Sequence, residues 1–591
     1  MSDLKQYFRE NKIFCTILIL FSVMLFCILL MFNFKGHDYS YHLQRIGSIA
    51  EEIKFKGLGA FPIRIYSTNE YNYGYASPLF YGDILLYPVA ILSLLGLNAV
   101  YGYRIMLVVL YSACFFNMYY CTKQISKNVQ TSIICAVIYA FSSYFALDLF
   151  VRSALGECFA FVFLPLACYG YYCTIINPDM PKKHRLFLVF GMAGLLLTHL
   201  ISTTLIAIFM VIFGLVYYKN WIKNPKILIN FTLLALLTAA LCAFFVFPLL
   251  EQMLTAKFYT TEHTLYQFEH WKLRWASWIG PHAFWKLQGD RFPQLRDGLW
   301  FAGGFGWMLV TLIAIWGFNA KKLKNQLMVS LLAASLILIL MAQGLIIPLN
   351  KLQKVIGFMQ FSYRILLICT LFMSIFGAYA VHTLKNKKIN MLLLIVSIIS
   401  CMLIVVTSYK IIHKECPSMT DEYTLTTDQI GKGEYIPNEL VESLSDTNFS
   451  KYCQNRGNRV DVNHRDVNFS HSNDEHGKIE LTFSGNHYDD TAFELPLLMY
   501  KGYSAVNEET GEKYDVSASE HGLVNVNVGD EQSGKVIVRY TGTIIQHISD
   551  VISILTIILL LIYFFKPDWL FRLKETGKNK LKILSNKKRM S

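Results

Sequence analysis

Residues 36–52 read GHDYSYHLQRIGSIAEE and directly follow the first long apolar run of the chain, residues 13–33. As a helix, this stretch places Asp38, His42 and Arg45 at i, i+4 and i+7 on one face. The adjacent face is apolar and consists of Tyr39, Leu43, Ile46, Ala50 and Ile53. The pattern predicts an amphipathic helix at a membrane surface. Its polar face is either merely solvated, as in an ordinary interfacial helix, or the start of a catalytic centre.

The composition indicates a polytopic membrane protein. Hydrophobic residues make up 54% of the 591 residues and charged residues only 16%. The formal net charge is +13, but the basic residues fall in short clusters between apolar runs and in the tail after Lys566. That distribution follows the positive-inside rule and does not indicate a nucleic-acid partner. The first run follows Lys5, Arg9 and Lys12 and has no A-x-A cleavage site, so we expect a retained anchor.

The spans follow from the apolar runs and from the basic clusters between them. Ten runs are long enough to cross a bilayer: 13–33, 100–122, 129–149, 156–177, 227–250, 301–319, 326–347, 363–383, 391–412 and 548–565. The run at 186–218 is too long for one helix and is predicted to turn near Thr198 and His199. Residues 78–97 are predicted to stay on the outer side, because otherwise the basic clusters do not all face inward. The fold class is therefore a polytopic α-helical membrane protein with about twelve spans and both termini cytoplasmic.

Four segments divide the chain. Residues 1–412 are predicted to form the transmembrane domain, with outer loops at 34–99 and 251–300. Residues 548–565 are the last span, and residues 566–591 are a basic cytoplasmic tail. The loop at 251–300 is rich in Trp and His, as expected of an aromatic belt at a membrane interface.

Residues 413–547 are predicted to form a small extracytoplasmic β-rich domain resembling a β-sandwich. Period-2 runs such as GKIELTFSG, HGLVNVNVG and GKVIVRYTG are separated by Gly and Asp turns. Of the 13 cysteines, only Cys416 and Cys453 lie in a polar region, which leaves a disulfide between these two open. The sequence has no close ligand spacing that indicates a zinc site.

Ionisable residues from distant parts of the chain collect at the predicted outer ends of the spans. They are Asp38, His42, Arg45, Arg64, Asp83, Asp148, Arg152, Glu157, His199 and Arg364. Charged groups at such depths are costly unless they are paired or line a wet cavity, which makes them a functional-site hypothesis. Arginines bind phosphate oxygens through two N–H groups, and a carboxylate can take a proton from a hydroxyl. HExxH, GxSxG, P-loop and GxGxxG motifs do not occur in a supporting context.

Four of these residues also have a plain structural explanation. Asp148 and Arg152 stand at i and i+4 and are able to pair with each other alone. His199, at a helix turn, fits an ordinary interfacial histidine. Arg364 fits an arginine whose head group extends to the membrane surface.

The layout resembles the GT-C superfamily of integral membrane glycosyltransferases. Within it, the chain is similar to bacterial multi-pass membrane proteins labelled "6-pyruvoyl-tetrahydropterin synthase related" and to YfhO-type proteins. The similar stretches are GHDYSYHLQRI at 36–46, FPIRI at 61–65, NYGYASPLFYG at 72–82, VRSALGE at 151–157, LTH at 197–199, QFSYR at 360–364 and LPLLMYKGYSA at 495–505. The pterin label implies nothing here, because the zinc-binding histidines of such an enzyme are not found.

The resemblance implies a transferase that uses a polyprenyl-phosphate-linked sugar donor at the outer face of a bacterial cell membrane. It assigns Asp38 as the base, helped by His42, and Glu157 as a second acid. Arg364, with Arg45, Arg64, Arg152 and His199, would bind the substrate and its phosphate. DxD and ExD pairs are missing at both acidic positions, so a divalent metal is not favoured and no cofactor is expected. The acceptor would be a cell-envelope polymer or a glycolipid in the lipid bilayer.

Three other functions remain open at this point. The first is a ligase that moves a preassembled, pyrophosphate-linked polymer of the teichoic-acid type onto a glycolipid. The second is a flippase or transporter of lipid-linked sugars, which predicts charged residues near span centres. The third is a non-catalytic scaffold whose β-rich domain binds polysaccharide.

Overall fold

The structure is a computed structural model that describes residues 2–32, 34–263, 266–268, 304–415, 433–444, 449–474, 476–485 and 488–565. Its N-terminal helices are α1 Ser2–Glu10, α2 Lys12–Met31, α3 Tyr39–Lys56, α4 Ser77–Phe80, α5 Tyr87–Leu94, α6 Ala99–Ser126, α7 Val129–Ala140, α8 Ser143–Leu147 and α9 Leu155–Tyr171. The middle helices are α10 Leu186–Leu196, α11 Leu200–Val216, α12 Tyr218–Lys223, α13 Lys226–Leu241, α14 Ala243–Thr255 and α15 Tyr259–Glu262. The remaining helices are α16 Gly304–Asn319, α17 Gln326–Ala342, α18 Leu349–Ile356, α19 Leu366–Leu384, α20 Lys387–Glu415, α21 Asn438–Ser443, α22 Phe449–Arg456 and α23 Ile544–Phe565.

Seven helical segments of the described chain are long and apolar enough to cross a membrane. They are Lys12–Met31, Ala99–Ser126, Val129–Arg152, Leu155–Ile176, Ser362–Leu384, Lys387–Val406 and Ile544–Phe565. Three shorter apolar helices accompany them, at Leu200–Val216, Leu309–Asn319 and Gln326–Ala342. The polytopic helical architecture is therefore confirmed, whereas the number of about twelve spans and the cytoplasmic termini stay predictions.

The sequence predicted one straight span at 227–250, but this run is bent. Helices α13 and α14 are together long and apolar enough to cross a membrane but are bent by 80° at Cys242. Pro248 lies inside α14 and has no N–H, so the carbonyl of Phe244 loses its partner within the helix. Arg64 donates to that carbonyl across 2.5 Å, and this long-range contact is absent from the hydropathy pattern.

Two other irregular segments are where the sequence placed them. The long run at 186–218 is divided into α10 and α11, and the break contains Thr198 and His199. Residues 78–97 form the short helices α4 and α5, each with a proline in its first turn, and neither helix is long enough to cross a membrane.

Helix α3 begins and ends close to the predicted positions, but its polar face is not exposed to solvent. Its polar residues His42, Gln44, Arg45, Ser48 and Glu52 are as buried as its apolar ones. It packs against α5 and α6 and against the loop at 57–75, which covers its polar face. The solvated-face interpretation is therefore wrong, because protein takes the place of water along this face.

The predicted β-rich domain is a separate eight-stranded antiparallel sheet that curves into a half-barrel. Its strands are β1 Asp461–Val462, β2 Asn468–Asn473, β3 Ile479–Ser484, β4 Thr491–Leu498, β5 Tyr503–Asn507, β6 Lys513–Ala518, β7 Leu523–Gly529 and β8 Ser533–Tyr540. Their order is β1-β4-β7-β6-β5-β8-β3-β2. Register pairs include Ala505↔Tyr514 and Ala505↔Val538. The β5–β6 pair joins two four-stranded halves, so the domain is one continuous sheet instead of the predicted sandwich.

The sheet is attached to the helical part through a short segment and an aromatic cluster. The backbone at 257–260 pairs with residues 434–438, where Tyr259 N donates to Ile436 O and Asn438 N donates to Lys257 O, each across 3.0 Å. Phe80 stacks on Tyr435, with 4.7 Å between the ring centroids. These contacts bring residue 434 and its neighbours over the N-terminal part of α3. Cys416 and the Trp- and His-rich residues 269–300 lie outside the described residues, so the disulfide and the aromatic belt stay predictions.

Candidate functional site

The site begins where α3 begins. Gly36 N donates to Ser153 Oγ across 3.2 Å, and Asp38 N donates to Arg152 O across 2.9 Å. A Cβ on Gly36 would lie 2.5 Å from Val151 O, so this close approach requires a glycine. The first residues of the GHD sequence are thereby held against the turn that joins two spans.

That turn carries an ion-pair cluster. Arg152 Nη1 contacts the carboxylates of Asp148 and Glu157, the latter at 2.9 Å. Arg364 Nε lies 3.4 Å from Glu157 Oε2, and Tyr144 OH donates to Glu157 Oε1 across 2.5 Å. These groups are buried. A turn of π-helix at Asp148–Arg152 and a left-handed Ser153 direct the arginine back toward Glu157 in the first turn of α9.

Asp38 lies next to this cluster but is not part of its hydrogen bonds. It is half-buried, and within the described chain its carboxylate forms no N-terminal cap bond to α3. Burial raises the pKa of Asp38 to about 6, while the charges of Arg152 and Arg364 oppose the rise. Glu434 and Glu157 add to it. A carboxylate with a pKa near neutrality and two nearby cations is suited to proton transfer.

His42 has a fixed orientation beside Asp38. Leu155 N donates to His42 Nε2 across 3.3 Å, so the neutral ring carries its proton on Nδ1. Burial and the charge of Arg45 lower the pKa of His42 well below its usual value. Its buried Nδ1 has no hydrogen-bond partner among the described residues. His42 is thus able to donate a hydrogen bond from Nδ1 but is not free to act as a base at Nε2.

His199 lies near the same ion pairs, at the start of α11. Its Nδ1 accepts from Ser202 N across 3.3 Å and lies 2.7 Å from Ser202 Oγ, which caps the helix. The charges of Arg364 and Glu157 both act on this imidazole. His199, in the break of the apolar run at 186–218, therefore lies near the ion-pair cluster.

Two predicted phosphate-binding arginines lie away from this cluster. Arg45 donates to the carbonyls of Tyr81 and Gly82 across 2.9 and 2.8 Å, and its guanidinium lies over the Tyr81 ring. Arg64 pairs with Asp550 at 2.6 Å, near the bend between α13 and α14. Of the four predicted arginines, the structure therefore brings only Arg152 and Arg364 together with Asp38 and Glu157.

The comparison with known families agrees with this architecture. Residues 56–430, more than half of the chain, match the family described as "Bacterial membrane protein YfhO". The chain belongs to the YfhO family. The matched part includes Arg152, Glu157, His199 and Arg364, whereas Asp38 precedes it. No curated protein matches the chain.

The YfhO-family chain has site residues that its sequence did not reveal. Tyr144 was missed, although it stands four residues before Asp148 on the same helical face. The rings of Phe361 and Tyr363 cover the two arginines, with Arg364 5.1 Å from the centroid of Phe361 and Arg152 5.0 Å from that of Tyr363. Glu434 comes from a distant polar segment, and no local pattern indicates that it folds back to Asp38.

No group of three or more His, Cys, Asp or Glu residues suited to a metal ion occurs in the described part of the YfhO-family chain. At the site, Arg152 pairs with Asp148 and Glu157. The arginines are able to hold an anion, and Asp38 is able to accept a proton.

Proposed function

We propose that this YfhO-family protein is a membrane glycosyltransferase that moves a sugar from a polyprenyl-phosphate donor to a cell-envelope polymer or glycolipid. The proposal rests on one observation: Asp38 N donates to Arg152 O across 2.9 Å, so Asp38 is held at the ion-pair cluster, where the charges of Arg152 and Arg364 act on its carboxylate. We place this reaction at the outer face of a bacterial membrane, as expected from the sequence.

The reaction assigns one role to each group. Asp38 takes the proton of an acceptor hydroxyl while the hydroxyl oxygen forms a bond to the anomeric carbon from the side opposite the donor phosphate. The bond between that carbon and the phosphate oxygen breaks, and the polyprenyl phosphate leaves with the electron pair. The configuration of the sugar is therefore inverted.

The donor phosphate is assigned to Arg364. Arg152 is committed to two carboxylates, whereas the short contacts of Arg364 are to neutral groups, Met359 O at 3.1 Å and Gln360 Oε1 at 2.8 Å. Glu157 lies 3.4 Å from Arg364 and acts as a positioning residue that holds both arginines. A preorganised cation near the leaving oxygen typically contributes about 10²–10³-fold to the rate.

The positions of the charged groups disfavour a transporter. Arg152 is the last residue of the span Val129–Arg152, and Glu157 and Arg364 lie in the first turns of the spans Leu155–Ile176 and Ser362–Leu384. Transporters of polar substrates require such groups near the middle of the membrane.

The proposal is tested in a strain that lacks this gene, by mass spectrometry of its polyprenyl lipids. We expect a polyprenyl-phosphate monosaccharide to accumulate and the wild-type chain to remove it. Asp38→Asn is expected to leave it accumulated, because loss of a general base slows turnover about 10²–10⁴-fold. The Asp38 side chain makes no cap bond to α3, so the amount of variant protein in the membrane should not change.

Asp83→Asn is the matched control. Burial raises the pKa of Asp83 to about 6 as well, but its carboxylate accepts from Tyr66 OH and is adjacent to Arg45. This variant should clear the lipid as the wild type does. Full clearance by Asp38→Asn would refute the proposal, and accumulation of a lipid-linked polymer would favour the ligase instead.

A further inference from the structure

A cavity lies between the sheet and the helical part, apart from the site around Asp38. Its volume is about 800 Å³, which is within the usual range for ligand sites. The end of α3, the loop at 59–67, the sheet and the first turns of α23 form its wall. The lining side chains include Lys56, Arg64, Lys478, Tyr503, Arg539 and Tyr540.

The charges of this wall largely neutralise one another. Lys56 pairs with Glu52 at 2.6 Å, Arg64 with Asp550 at 2.6 Å, and Lys478 with Glu480 at 2.5 Å. Asp474 Oδ1 accepts from the backbone N–H groups of His476 and Lys478. Arg539 has no ion pair within the described chain and is exposed. The cavity therefore offers many hydrogen-bonding groups and, among the described residues that line it, one arginine outside the ion pairs.

Aromatic rings form the rest of the wall. Tyr503 and Tyr540 contact each other edge to face, and Phe61 is 51% exposed at the loop. Polar groups between aromatic faces are typical of a surface that binds a ring with both hydroxyl and C–H groups, because the C–H face packs on the aromatic ring. Sugars have this chemistry, and a strongly anionic ligand would need more free cations.

The cavity also lies at the end of a span. Gln546, His547 and Asp550, in the first two turns of α23, line it, and Ile545 and Ile548 on the same helix are exposed as expected of a lipid-facing surface. A ligand in the cavity would therefore sit beside the lipid surface.

This cavity is distinct from the site around Asp38. Asp38 precedes the first residue of α3, whereas Glu52, Phe55 and Lys56 line the cavity from the last turns of the same helix. At 1.5 Å per residue, Glu52 lies about 20 Å from Asp38 along the helix, and Lys56 lies about 27 Å from it. The predicted phosphate-binding residue Arg64 belongs to the cavity and not to the Asp38 site.

We infer that the cavity binds the sugar headgroup of a membrane glycolipid, with Arg539 donating hydrogen bonds to its hydroxyls. This inference does not depend on the proposed transferase activity, because it concerns binding at a separate site. It gives the sheet a function of its own, that of holding one glycolipid at the membrane boundary.

The test uses the full chain in nanodiscs of phosphatidylcholine that contain either diglucosyl diacylglycerol or phosphatidylglycerol. Native mass spectrometry then measures which lipid remains bound. We expect the wild type to retain the glycolipid in preference to phosphatidylglycerol. Arg539→Gln should weaken its retention about tenfold, the typical effect of one lost charge-assisted hydrogen bond.

A second variant fills the cavity without touching its charges. A Cβ on Gly59 would meet no atom within 4 Å, so Gly59→Trp should fold and displace the headgroup, again with about tenfold weaker retention. Lys513→Gln, exposed on β6 and outside the cavity, is the matched control and should bind as the wild type does. Asp38→Asn should also bind normally, which separates this inference from the proposed activity. Unchanged retention in both cavity variants, or preference for phosphatidylglycerol, would overturn it.

Discussion

At the residue scale, the surroundings of Asp38 change its acidity. Burial raises its pKa to about 6, so the carboxylate becomes protonated as the pH falls below that value. A protonated acid cannot act as a base, and transfer should therefore decline about tenfold per pH unit below about pH 6 and level off above it. The measurement is the rate of sugar transfer in membranes from a synthetic polyprenyl-phosphate sugar, between about pH 5 and pH 8.

Glu434→Gln tests whether the midpoint of this pH profile is set by the pKa of Asp38. Glu434 raises the pKa of Asp38, so its removal should move the midpoint of the pH profile to lower pH without abolishing transfer. A rate that increases as the pH falls, or a midpoint that Glu434→Gln moves upward, would contradict the role of Asp38.

At this scale the sequence predicted which residues belong to the site better than it predicted which groups they contact. Asp38, Arg152, Glu157 and Arg364 were predicted from their positions at span ends, and the structure brings them together. Arg45 meets the same criterion, but its guanidinium donates to the carbonyls of Tyr81 and Gly82. Helical spacing shows which face of a helix a side chain occupies and not which distant backbone lies against that face.

At the scale of elements, the bend between α13 and α14 depends on the last span. Ser553 Oγ accepts from Phe244 N across 2.9 Å and donates to Ala240 O across 3.2 Å, so one hydroxyl satisfies two backbone groups at the break. Ser553→Ala leaves both without this partner and should cost about 1–3 kcal/mol of unfolding free energy. Thermal unfolding of the purified protein in detergent measures the loss.

Ser549→Ala is the comparison within the same helix. Ser549 is equally buried, but its hydroxyl donates only to Ile545 O in its own helix, which keeps its backbone partner. Its substitution should be nearly neutral. Equal destabilisation by the two variants would show that Ser553 does not stabilise the bend.

The breaks in the helices differ in whether the local sequence predicts them. The breaks at Thr198 and at residues 78–97 follow from run length, proline and polar residues, which are local features. Strands β3, β7 and β8 follow from their period-2 patterns. The bend at Cys242 depends on Arg64 and Ser553, which lie far away in the chain, and the single sheet depends on the β5–β6 pairing, so neither is visible in a local window.

At the scale of the whole molecule, hydrogen bonds to the backbone of the sheet domain attach the sheet to the helical part. Gln252, fully buried in α14, donates from Nε2 to Lys501 O across 2.7 Å and accepts from Lys501 N across 3.1 Å. Tyr73 O accepts from Leu498 N across 2.8 Å at the end of β4. These contacts hold the cavity wall and the end of α3 in one arrangement, so the glycolipid site requires the sheet to remain attached.

Gln252→Leu tests this attachment. The change leaves the N–H of Lys501 without its side-chain partner, whereas the carbonyl of Lys501 keeps the hydrogen bond from Tyr540 OH at 3.1 Å. The loss should cost about 1–3 kcal/mol and make local opening about 5- to 100-fold more frequent. Hydrogen exchange by mass spectrometry should show faster exchange in the β4–β5 turn and unchanged exchange in the sheet core around Val526. Thr255→Ala, whose hydroxyl donates only to Glu251 O in its own helix, should leave the turn unaffected. Unaltered exchange in Gln252→Leu would mean that the aromatic cluster around Tyr435, and not the Gln252 contact, determines how firmly the sheet is attached.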